Sequence, residues 1–377
     1  MKKILILTNR PLHRGPRIIR EIEALKNDYK IIAFGTTPPP FEVVEFEKMN
    51  TISIFERVLH KLYRIINGGK LWEGIFYTLN KKLVGMFKKY KPDIIITHEP
   101  EFLPYIYRYK DKYKYKVVFN SHEYNPGQFE TMKNWANTYG RFYVNLYKKY
   151  LNKLDLLVNV CDSIAIKCKD EFGKDSIVIP NACTYYPNIA PVLRDSQEKP
   201  IKMIHHGGAM RERKIEYMIE AARKLGSSFQ LDIMLVPGNQ DYLDELKSLA
   251  ENIDNVNVIP PVDFCEIVPF INQCDIGLFN LSPYTFNYLH ALPNKLFEFI
   301  QARLCNVVIN SPEMRKVVEQ YNLGLVSKGF SADELYDCLK NIDMNQINNF
   351  KINADKAAEK LSAEKYYQYY LDTLKSL

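Results

Sequence analysis

The chain has 377 residues, of which 46% are hydrophobic and 25% are charged, and its formal net charge is +7. This length and composition are typical of a two-domain globular protein and exclude a transmembrane helix, because no stretch approaches the roughly 18 consecutive apolar residues that a span needs. The seven cysteines are scattered and lack CxxC spacing, which indicates reduced thiols in a cytoplasmic protein without a zinc site.

Short apolar runs alternate with helical patterns, which is typical of parallel sheets covered by helices on both faces. The first run, Ile4–Leu7, is too short for a signal peptide and is predicted to be a buried strand. The predicted strands are Lys3–Leu7, Tyr29–Phe34, Ile94–Thr97, Lys116–Asn120, Leu156–Val160, Ile177–Ile179, Ile201–His205, Gln230–Val236, Val256–Ile259, Ile276–Phe279, Asn306–Ile309 and Gly324–Val326.

Helices are predicted between these strands, and a polar stretch with three prolines interrupts the alternation. We therefore predict a Rossmann-like domain over residues 1–185, a linker over 186–200 and a second such domain over 201–354, facing each other across a cleft. A last helix at about 355–377 is expected to pack back across the linker. Examples of the other predicted helices are Pro16–Lys26, Ile54–Tyr90, Asp162–Phe172, Ile215–Leu225, Tyr242–Asn252 and Ala332–Asn341.

Two basic regions with interleaved aromatic residues, Ile54–Tyr90 and Lys133–Lys153, are candidates for contact with an anionic membrane surface. They favour a cytoplasmic protein that is peripheral at the inner face of the plasma membrane. The alternative is a solvated basic face on helices that only pack. Nucleic acid is not indicated as a partner, because no reading motif accompanies the charge.

Open parallel sheets bind ligands beyond the carboxyl ends of their strands, so the loops there are the candidate functional segments. The loop TNRPLHRGPR after the first strand contains Arg10, His13, Arg14 and Arg17 and could hold an anion or an acceptor. It could equally be a basic surface turn. It is not a GxGxxG sequence, so a nicotinamide cofactor is not indicated.

Two further strand ends of the first half carry His–Glu pairs, in THEPEFLP and SHEYNPG. Such side chains bind sugar hydroxyls or transfer a proton, and we take Glu99, Glu101 and His122 as the candidate catalytic residues. Surface turns often contain similar pairs, so a purely structural role is the alternative.

In the second half, HHGGAMRERK follows a strand and opens a helix. Its glycines allow close backbone approach and its cations suit a phosphate, although a charged helix start is the alternative. Gly238 and Val262 lie in two further strand-end loops that could contact a ribose or a nucleobase. His290 lies in a long aromatic loop. The candidate phosphate ligands are Gly207, Gly208, Arg211, Arg213 and Lys214.

The segment LPNKLFEFIQARLCNVV is predicted to start a helix at Pro293 and Asn294 and to end in a buried strand. The amides at Asn294, Lys295 and Leu296 would bind a phosphate, and Glu298 could accept hydrogen bonds from two sugar hydroxyls. Diphosphate plus ribose describes a nucleotide-sugar. The alternative is a capped helix that only packs.

In order and spacing these segments resemble the GT-B glycosyltransferases, and among them family 4. GPRIIREIEAL is similar to the family's opening helix, THEPEFLP to its HxHDxxxLP segment, FNSHEY to its DSHE segment and IPNAC to its VPNG segment. HHGG…RERKIEYMIEA resembles the family's glycine-rich element, and LPNKLFEFIQARLCNVV resembles PNKLFEYMAAGKPVV of one subgroup. The resemblance covers about residues 1 to 345.

The resemblance implies a transfer of sugar from a nucleotide-sugar, UDP- or GDP-linked, to a hydroxyl of a glycan or polyprenyl-linked acceptor in capsule or O-antigen synthesis. It implies retention of configuration, with no metal or cofactor. Glu298 matches the second glutamate of the family's E-x7-E element, expected on the ribose, and His290 replaces the first. Arg213 or Lys214 matches the residue on the diphosphate, and His122 the histidine near the transferred sugar.

Two alternatives stay open. A nucleotide-sugar 2-epimerase can use the same fold without an acceptor, and a relic of the family could bind nucleotide-sugars without turning them over. If the reaction inverts the anomeric configuration, it needs a base, for which His122 and Glu99 are the candidates.

Overall fold

The computed structural model describes residues 1–41, 44–49, 54–67 and 77–377. They form two compact units, unit 1 (Met1–Pro180 with Tyr367–Leu377) and unit 2 (Asn181–Tyr366). Each unit contains one parallel sheet with helices in its crossovers, which confirms the predicted fold class. Residues 186–200, predicted as the linker, belong to unit 2.

Unit 1 is built on a fully parallel sheet. Its described strands are β1 (Lys3–Leu7), β2 (Lys30–Gly35), β3 (Glu45–Lys48), β4 (Ile94–Thr97), β5 (Lys116–Asn120), β6 (Leu156–Asn159) and β7 (Ile177–Val178). Its described helices are α1 (Pro16–Leu25), α2 (Ile54–Ile66), α3 (Tyr77–Tyr90), α4 (Leu103–Tyr113), α5 (Lys133–Trp135), α6 (Arg141–Tyr150) and α7 (Asp162–Phe172).

The strand order of this sheet is β3-β2-β1-β4-β5-β6-β7. Strands β2 and β3 are thus added on one side of β1, and the later strands on its other side, so the order reverses between β1 and β4. These two strands pair in register from Ile4 with Ile94 to Leu7 with Thr97. Their carboxyl ends therefore lie side by side at the position where open parallel sheets bind ligands.

Helix α1 shows how the sequence places polar groups in the core of unit 1. Ile18, Ile22 and Leu25 recur at helical spacing and are fully buried. Arg17 and Glu21 lie on the same buried stripe, and Glu21 has no exposed surface. A buried carboxylate costs several kcal/mol unless it is paired and hydrogen-bonded, so Glu21 requires partners on neighbouring elements.

Unit 2 repeats the arrangement with a second parallel sheet. Its strands are β8 (Ile201–Gly208), β9 (Phe229–Val236), β10 (Val256–Ile259), β11 (Ile276–Phe279), β12 (Cys305–Val308) and β13 (Gly324–Val326). Its helices are α8 (Ile215–Leu225), α9 (Gln240–Ala250), α10 (Ile267–Ile271), α11 (Phe286–Leu289), α12 (Asn294–Gln301), α13 (Pro312–Tyr321), α14 (Ala332–Leu339) and α15 (Met344–Ala358). Helix α16 (Ala363–Lys375) begins in unit 2, and its residues from Tyr367 on belong to unit 1.

The sheet of unit 2 has the order β10-β9-β8-β11-β12-β13, with its reversal between β8 and β11. Strand β8 is longer than predicted, because its pairing with β9 continues as far as Gly208 opposite Val236. The histidines and glycines expected in a loop are therefore strand residues at the carboxyl end of β8.

Three further elements differ from the sequence predictions. Strand β3 was missed, since its sequence EFEK lacks an apolar run. The single helix predicted over Ile54–Tyr90 is described as α2 and α3, and the part at residues 68–76 lies outside the described residues. The last predicted helix is two helices, α15 and α16, because the chain breaks helical pairing between Ala358 and Ala363. Across the described ranges, no helix is long and apolar enough to cross a membrane.

Candidate functional site

The end of β8 in unit 2 carries a glycine that the backbone requires. Gly207 has a φ of +137°, a conformation that side chains rarely adopt. A Cβ at this position would collide with the Lys295 side chain, its Nζ being 2.7 Å away, and would lie 3.1 Å from Nη1 of Arg213. Only glycine therefore lets these two cationic side chains lie against the strand end.

Arg213 and Lys295 come from different elements to the same point. Arg213 belongs to the 3-10 turn before α8 and donates from Nη1 to the Gly208 carbonyl oxygen at 3.0 Å, while Lys295 is in the first turn of α12. Burial, together with the charge of Arg213, lowers the pKa of Lys295 to about 7. Two half-buried cations at one point repel each other. The position therefore suits an anion that would neutralise both charges.

Glu298 lies one turn further along α12 and is buried. Its Oε2 is 3.3 Å from Nε2 of His206, at the end of β8. Burial, followed by the positive charge of Lys295, lowers the pKa of His206 well below its usual value, so this imidazole is neutral near pH 7. The carboxylate, the neutral imidazole and the two cations thus form one site at the strand reversal, which we call the cation site.

The structure gives Arg211 and Lys214, the two other predicted phosphate ligands, carboxylate partners. Half-exposed Arg211 forms a two-pronged ion pair with Glu245, and Lys214 lies 3.5 Å from Glu216. Lys214 also adopts a left-handed conformation, with φ +51°, where it precedes α8. The structure thus brings together Arg213 and Lys295, but not all four predicted cations.

The remaining predicted residues of unit 2 lie in the loops around this point. A Cβ on Gly238 would lie 2.9 Å from the Ala209 carbonyl oxygen, so packing of the backbone already requires glycine there. Val262 is half-buried in the segment after β10. His290 ends α11 with its ring 4.3 Å from the Phe286 ring.

The start of α12 differs in detail from the prediction. The helix begins at Asn294, and Pro293, whose side chain has no acceptor, is the N-cap residue. Asn294 was predicted to cap the helix and is instead its first residue, with Lys295 and the buried Leu296 following. The amides of this turn are the ones predicted to meet a phosphate.

In unit 1, the predicted residue Glu99 follows β4 and holds the loop after β1. Its carboxylate accepts hydrogen bonds from Thr8 Oγ1 at 3.0 Å and Asn9 N at 3.2 Å, and lies 3.3 Å from Arg10 Nε. Burial raises the pKa of Glu99. Burial also raises the pKa of Glu101, which accepts a hydrogen bond from the Tyr143 hydroxyl at 2.8 Å.

His122, the third predicted catalytic residue, follows β5 and takes part in a chain of polar contacts. Its Nε2 is hydrogen-bonded to Nδ1 of His98 at 2.8 Å, and Nε2 of His98 lies 2.8 Å from Oε2 of Glu21. The Glu21 carboxylate accepts a further hydrogen bond from Asn120 Nδ2 at 2.7 Å. We call the three residues Glu21, His98 and His122 the histidine relay.

Burial and charge set the ionisation of this relay. Burial lowers the pKa of His122 well below its usual value, and the charges of His98, Arg17 and Arg10 act in the same direction. Burial alone would raise the pKa of Glu21, but the positive charge of His98 and the hydrogen bond from Asn120 lower this pKa overall. A neutral His122 and an ionised Glu21 follow.

The basic loop predicted to hold an anion in unit 1 does not do so through Arg17. This guanidinium is buried and donates to Asn120 Oδ1 at 2.7 Å and 3.0 Å and to the Ile179 carbonyl oxygen at 2.7 Å. It points inward because it lies on the buried stripe of α1. His13 is exposed and pairs with Thr37, and the side chain of Arg14 lies outside the described residues.

Sequence reasoning missed Glu21 as a functional candidate and gave His206 no role. The spacing of Glu21 from Ile18, Ile22 and Leu25 could have placed it on the apolar stripe. His206 precedes two glycines at a strand end, but only the fold places it against Glu298. No cluster of three or more histidine, cysteine or acidic side chains that could hold a metal is found in the parts of the chain that the structure describes.

The chain is similar to known proteins in part of its sequence and throughout its fold. Residues 17–183 match the family model described as Glycosyltransferase Family 4. A comparison with curated proteins gave no match.

Solved structures of similar fold cover the whole chain. HepE from Anabaena in complex with UDP-glucose is 14% identical with a TM-score of 0.71, and all of both chains is covered. The trehalose-6-phosphate protein from E. coli bound with UDP-2-fluoro glucose is 12% identical with a TM-score of 0.68, covering 100% of this chain and 99% of that one. The α,α-trehalose 6-phosphate synthase from Burkholderia multivorans is 11% identical with a TM-score of 0.69 and the same coverage.

The solved structures establish the fold of the chain. The family model shows in addition that the sequence of most of unit 1 resembles glycosyltransferase family 4. The chain therefore has the GT-B fold of these solved structures, and its residues 17–183 are similar to glycosyltransferase family 4.

Proposed function

We propose that the protein transfers a sugar from a UDP-sugar to a hydroxyl of a glycan or lipid-linked acceptor, without a metal or cofactor. The observation that carries this is the cation site, where Gly207 admits Arg213 and Lys295 to one point beside the buried Glu298. A diphosphate would neutralise the two cations, and a ribose would offer hydroxyls to the carboxylate. UDP is favoured because HepE and the E. coli protein are solved with UDP-sugars.

The chemistry that follows needs no protein nucleophile. Charge builds on the leaving diphosphate as the bond from the sugar to the phosphate oxygen breaks, and fixed cations stabilise that charge. Arg213 and Lys295 are already in place, so they need little reorganisation when the charge forms. The leaving oxygen can take the acceptor's proton on the same face of the sugar, which retains the anomeric configuration.

The experiment is a thermal-shift screen of the whole protein against UDP-, GDP-, dTDP-, ADP- and CMP-sugars. A ligand at 100 times its dissociation constant stabilises the protein by about 2.7 kcal/mol, so a donor is readily detected. We expect UDP-sugars to give the largest shift. No shift with any nucleotide-sugar would contradict the proposal.

Turnover then separates transfer from simple binding. Glu298→Ala is expected to lose most of the donor turnover, while Glu319→Ala, an exposed carboxylate on α13, serves as the matched control. Equal turnover in both variants would contradict the assignment of Glu298 to the ribose. Conversion of the nucleotide-sugar to its epimer without any acceptor would favour the 2-epimerase instead.

For the acceptor, we propose a lipid-linked glycan of cell-surface polysaccharide synthesis, reached at the anionic inner face of the plasma membrane. Helix α2 supports this, because Ile54, Phe55 and Ile66 are each at least 70% exposed and Arg57 and Lys61 share the helix. Exposed apolar and basic side chains on one helix suit an anionic lipid surface. The second predicted region differs, since Tyr143, Tyr147 and Tyr150 of α6 are buried in unit 1.

Liposome flotation tests the membrane part. We expect the protein to float with vesicles that contain anionic lipid at low salt, and not with neutral vesicles. Phe55→Ser should weaken flotation more than Tyr369→Ser, an exposed aromatic residue on α16. Absence of binding to anionic vesicles would contradict the membrane proposal. It would not test the assignment of the donor site.

A further inference from the structure

The turn before α8 brings Arg213 to the cation site, and α8 has no side-chain cap of its own. Two backbone hydrogen bonds close this turn, from Arg213 N to the Met210 carbonyl oxygen at 3.0 Å and from Lys214 N to the Arg211 carbonyl oxygen at 3.2 Å. Lys214 is the N-cap residue of α8, and its side chain makes no hydrogen bond to the helix start. Its φ of +51° is a conformation that side chains rarely adopt, so neighbouring elements must hold the turn.

The hydroxyl of Tyr242 supplies the missing cap. Tyr242 lies in the first turn of α9 and is buried. Its hydroxyl accepts a hydrogen bond at 2.9 Å from Ile215 N, the first amide of α8, and donates one to the Glu216 carboxylate. The first amides of a helix have no partner within it, so the hydroxyl satisfies a group that Lys214 leaves without a cap. Tyr242 thus attaches the carboxyl end of the turn to α9.

The amino end of the same turn is also attached to α9. Ala209, the residue after β8, accepts a hydrogen bond at 2.9 Å from Asn239 N. Asn239 caps α9, and its side-chain oxygen accepts from Tyr242 N at 2.9 Å. Ala209 and Ile215 are therefore both bound to the start of α9, and Arg213 lies between them.

We propose that Tyr242 is a positioning residue of the cation site, whose hydroxyl holds the turn in the place from which Arg213 reaches the end of β8. Nη1 of Arg213 donates to the Gly208 carbonyl oxygen at 3.0 Å and would be 3.1 Å from a Cβ on Gly207. A shift of the turn by about 1 Å would break this hydrogen bond and move the guanidinium away from the strand end.

Arg211 makes a third attachment of the turn to α9. Its guanidinium lies over the Tyr242 ring, 5.1 Å from the centroid, and pairs with Glu245. Tyr242→Phe keeps the ring and this contact, and it removes only the hydroxyl. Asn280 Nδ2 also still donates to the Lys214 carbonyl oxygen at 3.3 Å. The variant should therefore fold, with a turn that is free to shift.

This role of Tyr242 rests on the proposed function, which assigns a diphosphate to Arg213 and Lys295, and deepens it by naming a residue outside that site. The position of Arg213 can be followed without a ligand at the Lys295 amine. Burial first, and then the charge of Arg213, lower the pKa of Lys295 to about 7, while the charge of Glu298 acts in the opposite direction. Movement of Arg213 away from the strand end should therefore raise this pKa.

The experiment titrates Lys295 in protein labelled with ¹³Cε-lysine and free of nucleotide, with Lys295→Met to assign its signal. Tyr242→Phe should raise the pKa of Lys295 by about 0.5 or more, and Arg213→Met should raise it further, because the neighbouring charge is then absent. Tyr336→Phe is the matched control, since Tyr336 of α14 packs against the core that contains Tyr242, and it should leave the pKa unchanged. No rise in Tyr242→Phe, or an equal rise in the control, would overturn the proposal.

Binding of UDP separates positioning from a general loss of stability. By calorimetry, Tyr242→Phe should weaken UDP binding by about tenfold, the loss expected when one charge-assisted contact to the diphosphate is misplaced. Ile219→Val removes a buried methyl group from α8, which lowers stability but leaves the turn intact, so it should bind UDP as the unchanged protein does. Equal weakening in both variants would contradict the positioning role.

Asn239→Ala keeps the test decisive if Tyr242→Phe fails to fold. Asn239 is exposed, and its loss removes the α9 cap that fixes Tyr242 N. This variant should also raise the pKa of Lys295, and an unchanged pKa would overturn the proposal. Absence of UDP binding by the unchanged protein would instead count against the proposed function, since Lys295 is titrated without nucleotide.

Discussion

The two units place different chemistry at the same position of the same sheet topology. In both, the strand order reverses between the first and fourth strands of the sheet, and the candidate residues lie at or after the carboxyl ends of strands at this reversal or next to it. At the reversal of unit 1, buried polar groups pair with one another from Glu21 to His122. At the reversal of unit 2, two cationic side chains lie against Gly207, and their like charges repel each other.

The difference is that groups of opposite charge or polarity meet in unit 1, whereas two groups of like charge meet in unit 2. In unit 1 the buried Glu21 carboxylate accepts from Asn120 and lies against His98, so removing it should lower the stability of the fold. The two cations in unit 2 repel each other. Removing one should therefore weaken the binding of a nucleotide-sugar without lowering the stability of the fold. The fold specifies where a site lies, and the side chains specify what it does.

The largest expected effect is on the stability of unit 1. Glu21→Ala leaves Asn120 Nδ2 without its acceptor and removes the carboxylate charge that acts on the buried Arg17 guanidinium, and should lower the free energy of unfolding by about 3 kcal/mol. The midpoint of urea unfolding measures this. A loss below about 1 kcal/mol would show that the polar chain of unit 1 is not a stabilising network.

A nearly equal effect is expected on ligand binding in unit 2. Gly207→Val would drive a side chain into Lys295 and Arg213, and should weaken binding of a UDP-sugar by about 100-fold, or about 2.7 kcal/mol. Calorimetric titration measures the dissociation constant. Gly208→Ala should weaken the binding of the UDP-sugar much less, since its Cβ would be 3.6 Å from Arg213 Nη1. Equal losses in the two variants would remove the special role of Gly207.

Much of the fold could be predicted from the sequence, because the buried strands of parallel sheets are continuous apolar runs. KILIL, IIIT and KVVFN were placed at their observed bounds. Strand β3 escaped because an edge strand can be charged, and EFEK has no apolar pattern. The extension of β8 was missed because glycines ordinarily end strands, whereas here β9 continues to pair with them.

The site was predictable only as a set of loops. Glu99, His122 and Lys295 were named because they follow strands or begin helices, where ligands bind. The partners that decide their chemistry come from distant parts of the chain, as with Glu21 and His98 or His206 and Glu298. Arg17 belongs to a loop that could have held an anion, but its guanidinium contacts Asn120, because helical spacing places it on the buried stripe of α1.

A smaller effect, with opposite signs on stability and binding, is expected for Lys295→Met. The substitution removes a half-buried cation beside Arg213 and should raise the melting temperature of the ligand-free protein, while weakening nucleotide-sugar binding by about tenfold. Thermal unfolding and calorimetry measure the two effects. A fall in melting temperature would mean that Lys295 stabilises unit 2 as Glu21 is expected to stabilise unit 1.

The smallest effect is on pH dependence. Since Lys295 has a pKa of about 7 without ligand, and a diphosphate favours its charged form, binding at pH 8 should take up close to one proton. Affinity should therefore fall as pH rises, by about fivefold between pH 7 and pH 8. Calorimetry in buffers of different ionisation enthalpy measures the uptake. Lys295→Met should abolish it, and unchanged uptake in that variant would assign the proton to another group.

The most direct test of the account is a crystal structure of the protein with a bound UDP-sugar. We predict that the diphosphate oxygens lie within hydrogen-bond distance of Arg213 and Lys295 at the end of β8, and that Glu298 accepts from the ribose hydroxyls. A diphosphate bound elsewhere, with Arg213 and Lys295 still against Gly207, would contradict the assignment of the cation site to the donor.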